Sequence, residues 1–118
     1  MGDPPSDVDG PGTINLLAWL SVPLAEGALV EALSIATEAR TAAVLESGLP
    51  SARSGRPATG TGTDCVVVAC PPGKAPLDYA GKHTLAGSLL GSAVYEAVRR
   101  GMVRWRSRWE VAHACPRS

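Results

Sequence analysis

Hydrophobic positions fall into four blocks, separated by stretches rich in Gly, Pro and polar residues. The first, TINLLAWLSV (13–22), is almost continuously apolar and stops before Pro23. A short apolar run that ends at a residue with no amide for a ladder predicts a buried strand. Residues 24–47 follow a different period. Leu29, Leu33, Ala36, Arg40 and Ala43 recur at three- and four-residue spacing, with Ile35, Ala39 and Ala42 beside them. This predicts a helix stopped by Gly48 and Pro50, and its many alanines predict close approach to a sheet or another helix. Residues 50–64 are loop by composition. CVVVAC (65–70), bounded by Pro71-Pro72, predicts a second buried strand.

A second helix is predicted from about Leu85 to Arg100, with Thr84 as its N-cap. Its expected face is Leu85, Leu89, Ser92 or Ala93, then Tyr95–Glu96, and Gly87 and Gly91 predict tight packing against a neighbour. The order strand, helix, strand, helix defines an α/β fold, a layered sheet with packed helices whose strands pair in parallel through a right-handed crossover. Two strands cannot cover their own edges, so the domain is read as incomplete, lacking a partner subunit or further strands.

Composition narrows this picture. At 118 residues, 45% hydrophobic and 19% charged, the chain suits one small globular domain. It divides into a flexible leader (1–11), a domain (12–100) and a basic Arg/Trp tail (101–118), in which three arginines interleave with two tryptophans. No apolar run reaches the roughly 18 residues of a membrane span, and the Asp-rich leader is not a signal peptide, so a cytoplasmic protein is expected. Charge is polarised: residues 1–50 hold seven acids against Arg40 alone, whereas residues 51–118 hold four acids against ten bases. Such a chain can pair its halves, pair with a second copy, or present its basic half to an anion. Zero net charge and the lack of a recognition fold argue against nucleic acid as a partner of the tail. Cys65, Cys70 and Cys115 are too few for a disulfide framework, and with His113 they complete no four-ligand metal set.

Candidate chemistry lies in the loops. TGTGTD (59–64) places Thr61, Gly62, Thr63 and Asp64 at the entrance of the second strand. Its glycines open the backbone to a ligand and its hydroxyls add donors, or it is a turn whose Asp satisfies local amides. AGKHT (80–84) sets Gly81, Lys82, His83 and Thr84 at a helix start, where anions are favoured and His83 can act as a general acid or base. The other reading of His83 is a surface histidine beside a capping threonine. Asn15, a poor strand former, can bond a ligand amide or a neighbouring loop. Glu38, within TEAR (37–40), can be solvated, pair near Arg40, or project into a site. No GxxxxGK[ST] phosphate loop is present, because Lys82 is followed by His83.

Taken together, GTIN (12–15), ALVEALSIATEARTAAVLESG (28–48), TGTGTDCVVVAC (59–70) and YAGKHTLAGSLLGSAVYEAV (79–98) resemble the C-terminal half of the adenosylcobinamide amidohydrolase family. The resemblance implies a cytoplasmic C–N hydrolase of corrinoid salvage. Such an enzyme cleaves the aminopropanol amide of adenosylcobinamide to give adenosylcobyric acid. The corrinoid is then a substrate, and no cofactor or metal is implied. His83, Asp64 and Thr63 become the catalytic candidates, with Asn15, Glu38, Thr61, Gly62, Gly81, Lys82 and Thr84 contacting substrate. Two departures accompany it. Arg40 stands where the family usually has lysine, which keeps the charge but not the geometry. Family members are also about twice as long, so the chain reads as a fragment. The alternative is a truncated corrinoid- or anion-binding remnant without catalysis.

Overall fold

The computed structural model describes residues 12–114. The leader (1–11) and Cys115 lie outside the described residues, as does the side chain of His113. The observed order is β1 (Asn15–Trp19), α1 (Glu26–Glu46), β2 (Cys65–Ala69) and α2 (Leu85–Ala114). β1 and β2 pair in parallel, with Asn15 opposite Cys65 and Trp19 opposite Ala69. The α/β class and the parallel pairing agree with the hydrophobic pattern. β1 is shorter than the apolar run that predicts it.

Side chains alternate across the sheet, as the period of a strand requires. Leu16, Ala18, Val66 and Val68 turn toward α1, while Leu17, Trp19, Cys65 and Val67 are exposed on the other face. The helix approaches closely because Ala28, Ala32 and Ala36 are completely buried. Each such methyl contributes only about 0.8 kcal/mol, so the core gains from proximity more than from volume.

The face of α2 differs from the expected one. Leu90, Val94 and Val98 are buried, whereas Leu85 and Leu89 are 77% and 61% exposed. The glycines decide the rotation. A Cβ on Gly91 would sit 3.4 Å from Ile35 Cγ2, and one on Gly87 would overlap the carbonyl oxygens of Ala80 and Gly81. The glycine side therefore faces α1 and the 80–81 segment, and Leu85 and Leu89 turn away. α2 also continues past Arg100, through the predicted tail, to Ala114. Arg106 Nη2 donates to the Ser47 carbonyl at the end of α1 (3.2 Å), where a cation complements the helix dipole, and Trp105 stacks on Trp109 with centroids 5.6 Å apart.

The outer edge of β1 is open. Cys65 N–H donates to the Ile14 carbonyl (3.0 Å) and Leu20 N–H to the Ala69 carbonyl (2.9 Å). In a parallel ladder alternate residues bond a given neighbour, so the backbone groups of Asn15, Leu17 and Trp19 point the opposite way. Beyond them lies an apolar groove of about 860 Å³ between β1 and α2, lined by Leu17, Trp19, Tyr79, Leu85, Leu89 and Ala93. Among the described residues the sheet is two-stranded and covered on one face, as the incomplete pattern predicts. No described helix is long and apolar enough to cross a membrane.

Candidate active site

TGTGTD forms a closed clasp around Asp64. One carboxylate oxygen accepts Ile14 N–H (2.9 Å) and the Thr61 hydroxyl; the other accepts Thr61 N–H (2.9 Å) and Arg40 Nη1. The side chains of Asp64 and Arg40 are only 7% and 13% exposed. Burial by itself pushes the Asp64 carboxyl up. The Thr61 hydroxyl and amide, the Ile14 amide and the Arg40 charge outweigh it, and hold the group below the ordinary carboxylate value. A carboxylate has about four acceptor positions, and here all are used, so Asp64 anchors its loop. Of the two readings of this loop, its geometry follows the one in which Asp satisfies local amides.

Gly60 is required beside this pair, because a Cβ there would overlap Asp64 and come 3.0 Å from Arg40 Nη1. Arg40 thus has a defined partner, although its Nε is buried without one. Thr63 is exposed, its hydroxyl hydrogen-bonded to that of Thr13. Gly62 is open to solvent.

AGKHT is held differently. Thr84 caps α2 as expected: its hydroxyl accepts Gly87 N–H (3.0 Å) and donates to the Gly81 carbonyl (2.7 Å). Two carboxylates of α1 dock the loop. Glu31 Oε1 accepts Ala80 N–H (3.3 Å), and Lys82 Nζ donates to Glu38 Oε1 (2.5 Å), the latter pair well exposed. His83 is exposed at the rim. Its Nδ1 and Glu31 Oε2 both approach the point where Gly81 lacks a Cβ, at 3.0 and 3.1 Å.

The candidate residues therefore divide into two groups. Glu31, Ile35, Glu38 and Ala42 share one face of α1, since spacings of three, four and seven return to the same side. Arg40 is nine residues from Glu31, about two and a half turns, and so projects from the opposite face. The helix separates the Asp64–Thr61 clasp from Gly81, Lys82, His83 and Thr84. Asn15 belongs to neither group, lying on the uncovered face of β1 in register with Cys65. Glu31 is absent from the sequence-derived candidates. Its seven-residue spacing from Glu38 was the available signal.

Between α1 and α2 runs a groove of about 690 Å³, floored by Ile35, Ala39, Gly87 and Gly91 and edged by Glu38, Lys82 and Ser88. Lys82 lines this groove and Thr84 the apolar one beside β1, whereas His83 lines neither.

Fold and site together define an α/β protein that presents an exposed imidazole on a loop braced at a helix start. The chain belongs to the adenosylcobinamide amidohydrolase family, whose profile matches residues 1–110. It is 39% identical over 92 residues to an adenosylcobinamide amidohydrolase of Halobacterium salinarum, covering 78% of this chain and 36% of the relative. It is 35% identical over 94 residues to a Methanocaldococcus jannaschii protein described as uncharacterized, covering 79% and 36%. The chain thus spans about a third of the length of these relatives. No solved structure matches it.

Proposed function

We propose that this chain carries an amide-cleaving site that acts on adenosylcobinamide in the cytoplasm, releasing aminopropanol and leaving adenosylcobyric acid for cobalamin salvage. The observation that carries this reading, beside family membership, is the AGKHT loop. It is held by Glu31, Glu38 and the α2 cap, yet it leaves His83 exposed.

In the reaction a water oxygen bonds to the amide carbon, the C–N bond breaks, and the carboxylate and protonated amine separate. His83 takes the proton of the attacking water and returns one to the departing nitrogen. Lys82, Glu38, Gly81 and Thr84 shape the adjoining rim, where peripheral amides of a corrinoid find donors and acceptors. Thr61, Gly62, Thr63 and Asp64 lie across α1 from His83. Asp64 holds that loop in place, and the exposed Thr63 hydroxyl and Gly62, together with Asn15, are assigned to outlying parts of a large substrate. A threonine nucleophile activated by His83 finds no support in this separation.

A second reading, corrinoid or anion binding without turnover, is favoured by the saturated Asp64 carboxylate and by the open edge of β1. The same edge makes a homo-oligomer or a further polypeptide a natural way to complete the sheet.

Incubating the purified chain with adenosylcobinamide and separating products by chromatography tests the first reading. Adenosylcobyric acid that disappears in His83→Ala, with corrinoid binding retained, supports catalysis. Binding without product from the folded unmutated chain favours the second reading.

A further inference from the structure

We infer that the groove between β1 and α2 seats a third strand: an extended segment of another polypeptide that hydrogen-bonds to the open edge of β1 and passes beneath α2. The inference concerns the sheet edge and stands apart from the amidohydrolase reading.

Three observations converge. First, the edge is a ready ladder. The Ile14 carbonyl and Leu20 N–H are spent on β2, so the backbone groups of Asn15, Leu17 and Trp19 point outward along about 17 Å of strand. Second, α2 has the face of a helix that covers a strand. On α1, Ala28, Ala32 and Ala36 are completely buried where that helix lies on the sheet. α2 carries a similar row, Ala86, Ala93 and Ala97, which returns to one side at spacings of seven and four. These alanines line the groove, and Ala93 and Ala97 are exposed. Third, Asp78 is the one charged residue among those lining the groove, next to the Leu24–Leu77 bridge that follows β1.

An extended strand satisfies this edge and turns alternate side chains toward α2, where the alanines leave room for them. A helix seated there would leave the edge unpaired. The occupant therefore has apolar residues at alternate positions, no charge along the groove, and a lysine or arginine where it passes Asp78. Residues 1–11 do not fit, because Pro4, Pro5 and Pro11 deny donors to a ladder and Asp3, Asp7 and Asp9 repel Asp78. A second copy pairing its β1 antiparallel with this one would bring its own α1 into the layer that α2 fills beside α1.

The probe is a synthetic peptide with blocked termini, valine and threonine alternating over about six residues and a lysine at each end, titrated into the intact chain. Amide hydrogen exchange is followed by 15N–1H correlation. The Asn15, Leu17 and Trp19 amides should slow, whereas those of Leu16 and Ala18 already bond to β2. A peptide of the same composition, with its valines in one block and its threonines in another, should bind about tenfold more weakly. Leu17→Pro removes an outward N–H without touching the β1–β2 ladder, and Ala93→Phe fills the groove from an exposed position. Each should weaken binding about tenfold.

No protection of the three amides at millimolar peptide, or equal binding of the alternating and block peptides, overturns the inference. So does a free chain that sediments as a dimer with these amides already protected, which gives the groove to a second copy. If Leu17→Pro does not fold, Ala93→Phe decides: undiminished binding in that variant removes the seat beneath α2.

Discussion

TGTGTD and AGKHT are alike as strings, each mixing glycine, hydroxyls and charge, and each preceding a regular element. Their structures assign them different work. In the first, a buried carboxylate meets two backbone amides, a hydroxyl and a guanidinium, which together favour its ionised form. In the second, the backbone is fastened by Glu31 and the Thr84 cap, but the imidazole stays at the surface. Saturated polar groups hold a fold together, whereas a group with a free valence on a fixed backbone can do chemistry.

The largest test of this contrast lies in the clasp. Removing the carboxylate with Asp64→Ala leaves Arg40 buried and unpaired, and should cost about 3–5 kcal/mol in urea unfolding. Replacing both charges, Asp64→Ala with Arg40→Met, should recover much of the loss, because no lone charge then remains. An unchanged midpoint in the single variant would erase the distinction between the loops.

Gly87→Ala comes next. Its Cβ meets backbone carbonyls of Ala80 and Gly81, so the loop must move off α2 at about 1–3 kcal/mol. Turnover should fall further than the loss of folded protein explains, since Ala80 is the amide that Glu31 holds.

Acid unfolding separates the two loops by titration. The folded Asp64 carboxyl lies below its unfolded value of about 3.9. Its stabilisation is therefore complete above that value and is lost as pH falls through the lower folded one. Asp64→Asn should flatten this part of the profile, measured as unfolding midpoint between about pH 5 and 2. Glu96, held at about 2 by hydrogen bonds from Arg99 and then Arg100, titrates in the same direction. It is exposed on α2, so Glu96→Gln should alter the profile far less than Asp64→Asn.

The smallest effect belongs to Lys82. Both partners of its pair with Glu38 are more than half exposed, so Lys82→Met should change stability by under about 1 kcal/mol. A rise in KM with unchanged kcat would place Lys82 on the substrate's rim. A loss confined to kcat would move it into the proton-transfer group.

Local signals were enough for much of the architecture. Pro23, Gly48 and Pro71 punctuate the chain, CVVVAC can hardly be other than a strand, and Thr84 caps a helix through neighbours within three residues. Glu31 escaped notice because a lone acid on a helix looks solvated until its partner is known, and that partner, the Ala80 amide, lies 49 residues away. The same blindness applies to Leu85 and Leu89, whose spacing marks an apolar stripe without saying what it faces.

The sequence by itself determined the order of elements, the parallel pairing and the family, because these depend on period, punctuation and residue type along the chain. Only the tertiary structure decided that α1 stands between Asp64 and His83, that Gly87 turns α2 so its leucines line an open groove, and that Glu31 holds the Ala80 amide of the AGKHT loop. Such facts arise from how the faces of helices rotate against one another. That rotation is set by close contacts between residues far apart in the chain, which no local pattern encodes.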